Sequence, residues 1–511
     1  MSSYLYELPT TGAISFGDFC YDKSASYISE VSDTTEARAN LRAALKAYKR
    51  SDDNEKDYLR LVKVLDDYIP RLYGILAALN AGELVLRSEP IFSWRTTLSS
   101  TLFHTSPRLS FPSLTAELAF TLLTYAFALS NLARAVVASL GAYETERGIS
   151  DAGRRAKDDR LQFAVTLLCK AAGVFEYIAK NVLGEWDAVR ERVGAAGMSC
   201  PHPPDLSREV LIGLSKMALA DAQNLAIRKL LTRAAYESTV TPGPPLPKSH
   251  PSPALASKLH LECAALYTSA RALAKTAGAS RPALSPTSSS AKSKFKLGLG
   301  GSNKDGSSAE GGGGGRDDAD EVVPELRRYL SDEIAVHNAL AHKWLGVDAG
   351  ENGGPQQTGT AVGFLTWSKK ELEDLKNGGS AGGMAVGTMG TEREKEMREA
   401  RKARVLGDLE SVNVFFKGYK RMNDSIVPPQ SDLQASIPAG RMAIAIRPYT
   451  KPVPAFGPGS ADYVQKMAEE LESLGLGGEG GGGGGGDSSG TSPAVPPHKA
   501  EASYAGAGSY Y

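Results

Sequence analysis

Residues 117–137 read ELAFTLLTYAFALSNLARAVV, and whether that run crosses a membrane or fills a protein core decides the fold. A spanning helix needs about 18 to 20 residues with few polar groups. Here Glu117 stands at one end while Asn131 and Arg134 intrude near the other, so the run reads as a buried core helix. Working outward, the same helical period recurs on both sides. Leu161, Val165, Leu168, Ala172, Phe175, Ala179 and Val182 form one stripe with 4-3-4-3 spacing. Residues 208–236 continue for about eight turns without a proline. Val323, Leu326, Leu330, Ile334, His337, Ala341 and Trp344 repeat the pattern, as do Leu406, Leu409, Val412 and Phe416. Near the start, Leu41, Leu45 and Tyr48 mark a helix over 36–50, and 55–80 continues it with a break or kink at Pro70. Only residues 4–19 and 83–94 offer places for short strands. The periodicity predicts a mostly α fold.

Bulk properties narrow the function classes. Lys and Arg together number 58, as do Asp and Glu, so the 511-residue chain carries no net charge. Phosphate backbones demand a basic excess, which argues against nucleic acid as the main ligand. Cys20, Cys169, Cys200 and Cys263 lie far apart without a CxxC pair, so neither a disulfide framework nor a zinc site is indicated and a reducing compartment is expected. The opening MSSYLYELPTTG lacks the charged start and apolar core of a secretory leader. A cytoplasmic protein follows as the expectation.

Three stretches lack the apolar content to offset their ordering entropy. Residues 280–320 are Ser/Pro-rich and then Lys/Gly-rich. Residues 349–395 mix glycine runs with one short helical piece at 364–375, and residues 476–511 are Gly/Ser/Pro-rich. The helical pattern resumes after the first two. The expectation is therefore one helical domain over 1–470 with disordered insertions and a low-complexity tail. The domain closes on PPQSDLQASIPAGRMAIAIRPY (428–449). Ser431-Asp432 before Leu433 reads as a turn or helix cap, and Met442–Ile446 is an apolar run between Arg441 and Arg447. Such a segment packs across a helical scaffold and presents a few side chains.

Apparent catalytic signals fail on context. Gly378–Gly382 matches the GxSxG elbow around Ser380, but that motif needs a strand before it and a helix after it. The glycine tracts lack a GK[ST] ending, so no phosphate loop is supported. His260 and Cys263 share a helix without a second pair to complete a tetrad, and His337 and His342 read as packed or solvated. No cofactor, metal or enzymatic constellation emerges. The Ser-Pro steps at Ser252, Ser285 and Ser492 and the basic run Lys292–Lys296 are candidate modification and lipid-contact points, with plain solvation as the simpler reading.

Four blocks nevertheless look familiar. ELAFTLLTYAFALSNLARAVV resembles the central helix of the Bro-one (BRO) domain family, and DAGRRAKDDRLQFAVTLLCKAAGVFEYI (151–178) resembles the helix that follows it there. Phe92-Ser93-Trp94 with Leu102-Phe103 is similar to the family's lead-in, and ALADAQNLAIRK (218–229) to a later helix. The opening LPTTGAISFGDF (8–19) and the ending 423–452 resemble a fungal branch that serves alkaline-pH signalling. The resemblance implies a curved, banana-shaped helical BRO-type domain with a tetratricopeptide-like solenoid core and a small β-sheet. It also implies a non-enzymatic adaptor that binds the Snf-type subunit of ESCRT-III, alongside a receptor, a protease and a second family member. Recruitment from the cytoplasm to plasma-membrane cortical sites or endosomes goes with it. Other members continue into a long coiled domain, where here a short low-complexity stretch follows.

In that family the ligand is an amphipathic helix lying in an apolar groove, with anchors one turn apart. Carried over, the groove contacts fall near Ala226-Ile227 and on Leu255 and Leu259. Ala226 departs from the large apolar group usual there, and Ile227 substitutes for it. Leu255 and Leu259 are spaced i, i+4 and share a helix face. Ordinary solenoid core is the competing reading for all three positions. Arg441 is a candidate interface anchor, or equally half of an ion pair holding the closing segment. A membrane scaffold that meets anionic lipid through its convex face and basic loops is the rival function.

Overall fold

The computed structural model describes residues 3–23, 25–51, 56–99, 107–195, 200–240, 242–275, 322–378, 392–423 and 425–473. Helices dominate: α1 (Ile28–Arg50), α2 (Tyr58–Asn80), α3 (Leu114–Leu140), α4 (Asp151–Tyr177), α5 (Leu183–Ala195), α6 (Arg208–Val240) and α7 (Pro253–Lys275). They continue as α8 (Pro324–Asn352), α9 (Thr358–Lys376), α10 (Glu392–Met422), the short α11 (Gln430–Ala435) and α12 (Ala461–Ser473). α2 runs through Pro70 without ending there. A π-helical turn, Ile178–Val182, joins α4 to α5.

The 117–137 run is the middle of α3. Its length and hydropathy would suffice to cross a membrane, yet 83% of its apolar window is packed inside the protein. The residues that interrupt the run explain how. Asn131 exchanges two hydrogen bonds with the Tyr6 backbone, at 2.9 Å each. Glu117, fully buried, accepts from Arg38 Nε at 2.8 Å, Tyr68 Oη at 2.9 Å and Trp94 Nε1 at 2.7 Å. One carboxylate thus ties α1, α2, α3 and a β-strand together.

One small sheet was expected, and two ladders occur. β1 (Cys20–Asp22) pairs antiparallel with β2 (Leu84–Leu86), Tyr21 opposite Val85. β3 (Ile91–Arg95) pairs antiparallel with β4 (Arg108–Pro112), Ser93 opposite Ser110. The alternation of β3 puts Phe92 and Trp94 inward, where Trp94 stacks on Phe120 of α3 at 5.4 Å.

From α3 onward the long helices pack in series: α3 on α4, α4 on α6, α6 on α7, α7 on α8, α8 on α9, and α9 on α10. Each helix buries its stripe mainly against its chain neighbours, as stacked repeat units do. A first apolar core spans the N-terminal segment through α7 and the start of α8. A second, around Trp344, Leu365, Val412 and Tyr419, joins α8, α9 and α10.

Part of the 349–395 expectation needs correction. α8 extends through Asn352, and α9 covers Thr358–Lys376 with Ala361, Phe364, Leu365 and Leu372 buried. The glycines there serve close packing: a Cβ on Gly359 would overlap the Ile426 carbonyl. Residues 379–391, with Ser380, lie outside the described residues, as do 280–320 and 476–511.

The closing segment is a strap. Ser431 and Asp432 sit inside α11 rather than capping it, and buried Leu433 anchors that helix on α9. The chain then runs extended across four helices. Arg441 N–H donates to the Lys258 carbonyl of α7 at 2.9 Å, and Arg447 N–H to the Cys169 carbonyl of α4 at 3.2 Å. Ala455 N–H donates to the Pro70 carbonyl of α2 at 3.0 Å. Between these points Gln223 of α6 grips the strap with its whole amide, donating to the Arg441 carbonyl at 3.2 Å and accepting from Ala443 N–H at 3.0 Å. Ile444 and Ile446 turn toward the core.

Gly173 is where the strap touches α4, and a Cβ there would overlap the Arg447 carbonyl. Gly173→Val should lift the strap while leaving the α4 helix intact, since one valine costs a helix only about 0.5 kcal/mol more than alanine. Limited proteolysis should then cleave within 436–456 much faster than in the wild type. Unchanged cleavage would show that the strap does not depend on this contact.

Contacts divide the chain into two units, Met1–Ala461 and Asp462–Tyr511. Apart from α12 and the residues beyond it, the elements above belong to the first. In the second, Val464 and Met467 of α12 are exposed one turn apart.

Candidate functional site

Gln223 fixes which face of α6 meets the strap, and helical spacing carries that face onward. Ala226 and Leu230 lie three and seven residues beyond Gln223, on the same side, and both are half-buried. Gln223 also donates to the Leu259 carbonyl at 2.9 Å, setting the level of α7 beside α6. One turn back along α7 is Leu255, again half-buried. On α4 the same level is marked by Gln162, whose Oε1 accepts from Lys229 Nζ at 2.9 Å. A shallow apolar face of Ala226, Leu230 and Leu255 therefore lies beside the strap. Lys229, Lys258 and Arg441 border it.

The carried-over contact residues divide. Ile227 is fully buried and Leu259 is 3% exposed, both within the first core. Leu255 alone offers surface, because it sits in the first turn of α7, whereas Leu259 is turned into the packing against α6. The i, i+4 pair shares a stripe that dives inward. Arg441 shows a similar split. Its backbone holds the strap, while its exposed side chain makes no hydrogen bond or ion pair among the described residues. Two contributors escaped the sequence reading: Leu230, and Gln223, whose 0% exposure in an apolar run called for buried polar partners.

Beneath this face is a buried polar layer. Asp221, two residues before Gln223, accepts from Tyr267 Oη at 2.5 Å and Tyr329 Oη at 2.6 Å. Burial pushes its carboxyl up to about 7, against the pull of those two hydrogen bonds. Arg404 of α10 pairs with Glu333 of α8 at 2.9 Å. The rings of His260 and His337 meet Nδ1 to Nδ1 at 2.9 Å, and burial holds His260 down to about 3 and His337 well below its ordinary value. Both are neutral packing residues. His342 contacts Glu371 at 2.8 Å and stacks on Trp367. No group of three His, Cys, Asp or Glu side chains placed to hold a metal ion occurs among the described residues.

The raised Asp221 carboxyl has a signed consequence. A folded-state value above the unfolded one means that the group stabilises the fold fully below pH about 4 and loses that contribution as pH rises through about 7. The neutral histidines act oppositely, costing stability as pH falls below about 6.5. Asp221→Asn isolates the carboxyl. Its stability relative to wild type should rise between pH 5 and 8, by a few kcal/mol at most, in denaturant titrations. A pH-independent difference would contradict the assignment.

Comparisons with known proteins bear on this arrangement. The sequence profile of the BRO1-like domain matches residues 19–467. A pH-response regulator protein palC from Cryptococcus neoformans is 37% identical over 492 residues, covering 93% of this chain and 97% of its own. The palC of Emericella nidulans is 27% identical over 248 residues, 44% of this chain and 46% of its own. Among solved structures, the ALIX BRO1–CHMP4C complex superposes with a TM-score of 0.50 at 15% identity, covering 89% of this chain and 97% of that one. ALIX bound to the SIVmac239 PYKEVTEDL late domain gives 0.52 at 14% identity, covering 93% of this chain and 53% of that one. At such identities the structural likeness speaks for the fold alone.

Proposed function

The chain belongs to the BRO1-like domain family, whose members are non-enzymatic adaptors, and from that premise we propose that it docks the Snf-type ESCRT-III subunit on the face beside the strap. It is a palC-like protein, and its relatives are pH-response regulators. In this reading it helps assemble the fungal alkaline-pH signalling complex, with PalA, the PalB protease and the PalH receptor, that leads to proteolytic activation of the PacC/Rim transcription factor. It works from the cytoplasm at cortical membrane sites or endosomes.

The observation that carries the reading is the half-buried apolar strip Ala226–Leu230–Leu255 with cations on its border. A helix laid there would bury its anchors between α6 and α7 and set acidic side chains against Lys229, Lys258 and Arg441, the helix-in-groove mode. The ALIX BRO1 domain, the same fold, was solved in complex with CHMP4C. Purified full-length chain should retain the purified Snf-type subunit in a pull-down and lose it when the subunit's C-terminal helix is removed. Retention without that helix would overturn the docking mode. Strong pelleting with anionic liposomes in the absence of any ESCRT-III subunit would favour the membrane-scaffold reading instead.

A further inference from the structure

Where the strap leaves α4 for α2 it roofs a second concavity, built from residues that the α6–α7 face does not use. A groove of about 300 Å³ lies between Asp66, Ile69 and Pro70 of α2, Tyr125 of α3, Lys170 and Val174 of α4, and the strap from Arg447 to Thr450 with Pro452. That volume is at the small end of ligand sites and admits a side chain or two rather than a cofactor. Its walls are apolar or aromatic: Val174 and Ile69 on the helices, and Tyr449 from the strap, whose ring rests on Tyr177 at 4.8 Å. Pro448 and Pro452 bring no N–H groups to the roof.

Charge decides what fits. Lys170 and Arg447 both line the groove, both are exposed, and neither makes an ion pair or side-chain hydrogen bond among the described residues. Asp66 is the one carboxylate among the described residues of the lining, and it lies against Tyr125, where burial first and then the Asp66 charge push the phenol above its usual range. Two cations against one carboxylate leave a single positive charge. A guest with one negative charge completes the balance, whereas a dianionic phosphate or a polyanionic headgroup would meet Asp66. Arginine and lysine side by side suit a carboxylate, the one by its fork and the other as a point charge. Apolar walls suit an aliphatic or proline residue next to that carboxylate.

We propose that this groove binds an extended acidic peptide segment of a partner protein, seating one carboxylate side chain between Lys170 and Arg447 with an apolar neighbour against Val174 and Tyr449. The site is separate from the ESCRT-III face, so either assignment stands if the other falls.

The test uses the full chain and an amidated probe, Pro-Leu-Glu-Leu-Pro, whose N-terminus carries an uncharged fluorophore in place of an acetyl group, by fluorescence anisotropy. Saturable binding is expected, weakened by roughly tenfold when the probe's Glu is replaced by Gln, the loss of one charge-assisted contact. The double variant Lys170→Glu with Arg447→Glu changes only exposed side chains. It should lose the Glu probe by at least about tenfold and prefer the Lys version of it. Asp66→Asn should tighten the Glu probe. Equal binding of the Glu and Gln probes, or no effect of the double variant, would overturn the proposal. So would pelleting of the wild type, but not of the double variant, with phosphatidylserine vesicles, accompanied by release of the probe from the wild type, which would make the groove a lipid site. Retention of the Snf-type subunit by the double variant is expected and keeps the two assignments distinguishable.

Discussion

Glu117→Ala should lower the unfolding free energy by about 3–5 kcal/mol, the cost of leaving a buried charge without its partner. Arg38 is 1% exposed and Glu117 0%. Burial disfavours the Arg38 charge, and the Glu117 carboxylate more than offsets it, holding the guanidinium above its ordinary value. Removing the carboxylate also strands the Tyr68 hydroxyl and the Trp94 indole N–H, which reach it from α2 and β3. Arg38 would keep only its bonds to the Gly12 carbonyl and the Thr11 hydroxyl, at 2.8 and 2.7 Å. Urea unfolding followed by tryptophan fluorescence measures the loss, and Trp94 reports from inside the network. Replacing both partners with apolar residues, Arg38→Met with Glu117→Leu, should recover much of it, because the cost is an orphaned charge rather than a lost attraction. A single variant within 1 kcal/mol of wild type would contradict this account of how the first core is held.

Glu117 also shows where one-dimensional reading stops. In the sequence it marks the end of an apolar window. In the fold it is the hub for partners up to 79 residues away, and periodicity says nothing about partners at that range. Stripes fared better, because burial of a helix face leaves its period in the chain. The 161–182 stripe is α4 and its π-helical continuation, and 208–236 lies within α6. Gly-rich 349–363 misled for a physical reason: glycine marks flexibility in a linker and close approach in a packed helix, and composition does not separate the two. The candidate site was legible by half. The family resemblance picks out Leu255 and Leu259 and helical spacing puts them on one stripe, but which of them reaches the surface depends on where α7 begins and on what covers it. The strap's path over α7, α6, α4 and α2 was foreshadowed only by its Pro and Gly punctuation. Its fixing points are backbone carbonyls and one glutamine amide, which leave no sequence pattern.

Leu255→Asp should weaken docking of the Snf-type C-terminal helix by about 2–4 kcal/mol, thirtyfold to several hundredfold, as expected for a central apolar anchor exchanged for a charge. Leu255 is half-buried in the first turn of α7, so its aspartate can reach solvent and the fold should persist. The charge would also face an acidic ligand. Leu259 behaves oppositely. At 3% exposure, Leu259→Ala should cost about 2–4 kcal/mol of stability through the cavity it leaves, with little change in the affinity of the molecules that remain folded. The two leucines thus separate surface from core within one helical turn. Titration calorimetry of the isolated Snf-type C-terminal helix into wild-type and Leu255→Asp protein, each checked for unchanged helical circular dichroism, tests the central claim most directly. The account predicts a saturable heat for the wild type and none measurable for Leu255→Asp. Equal affinities for the two would contradict it.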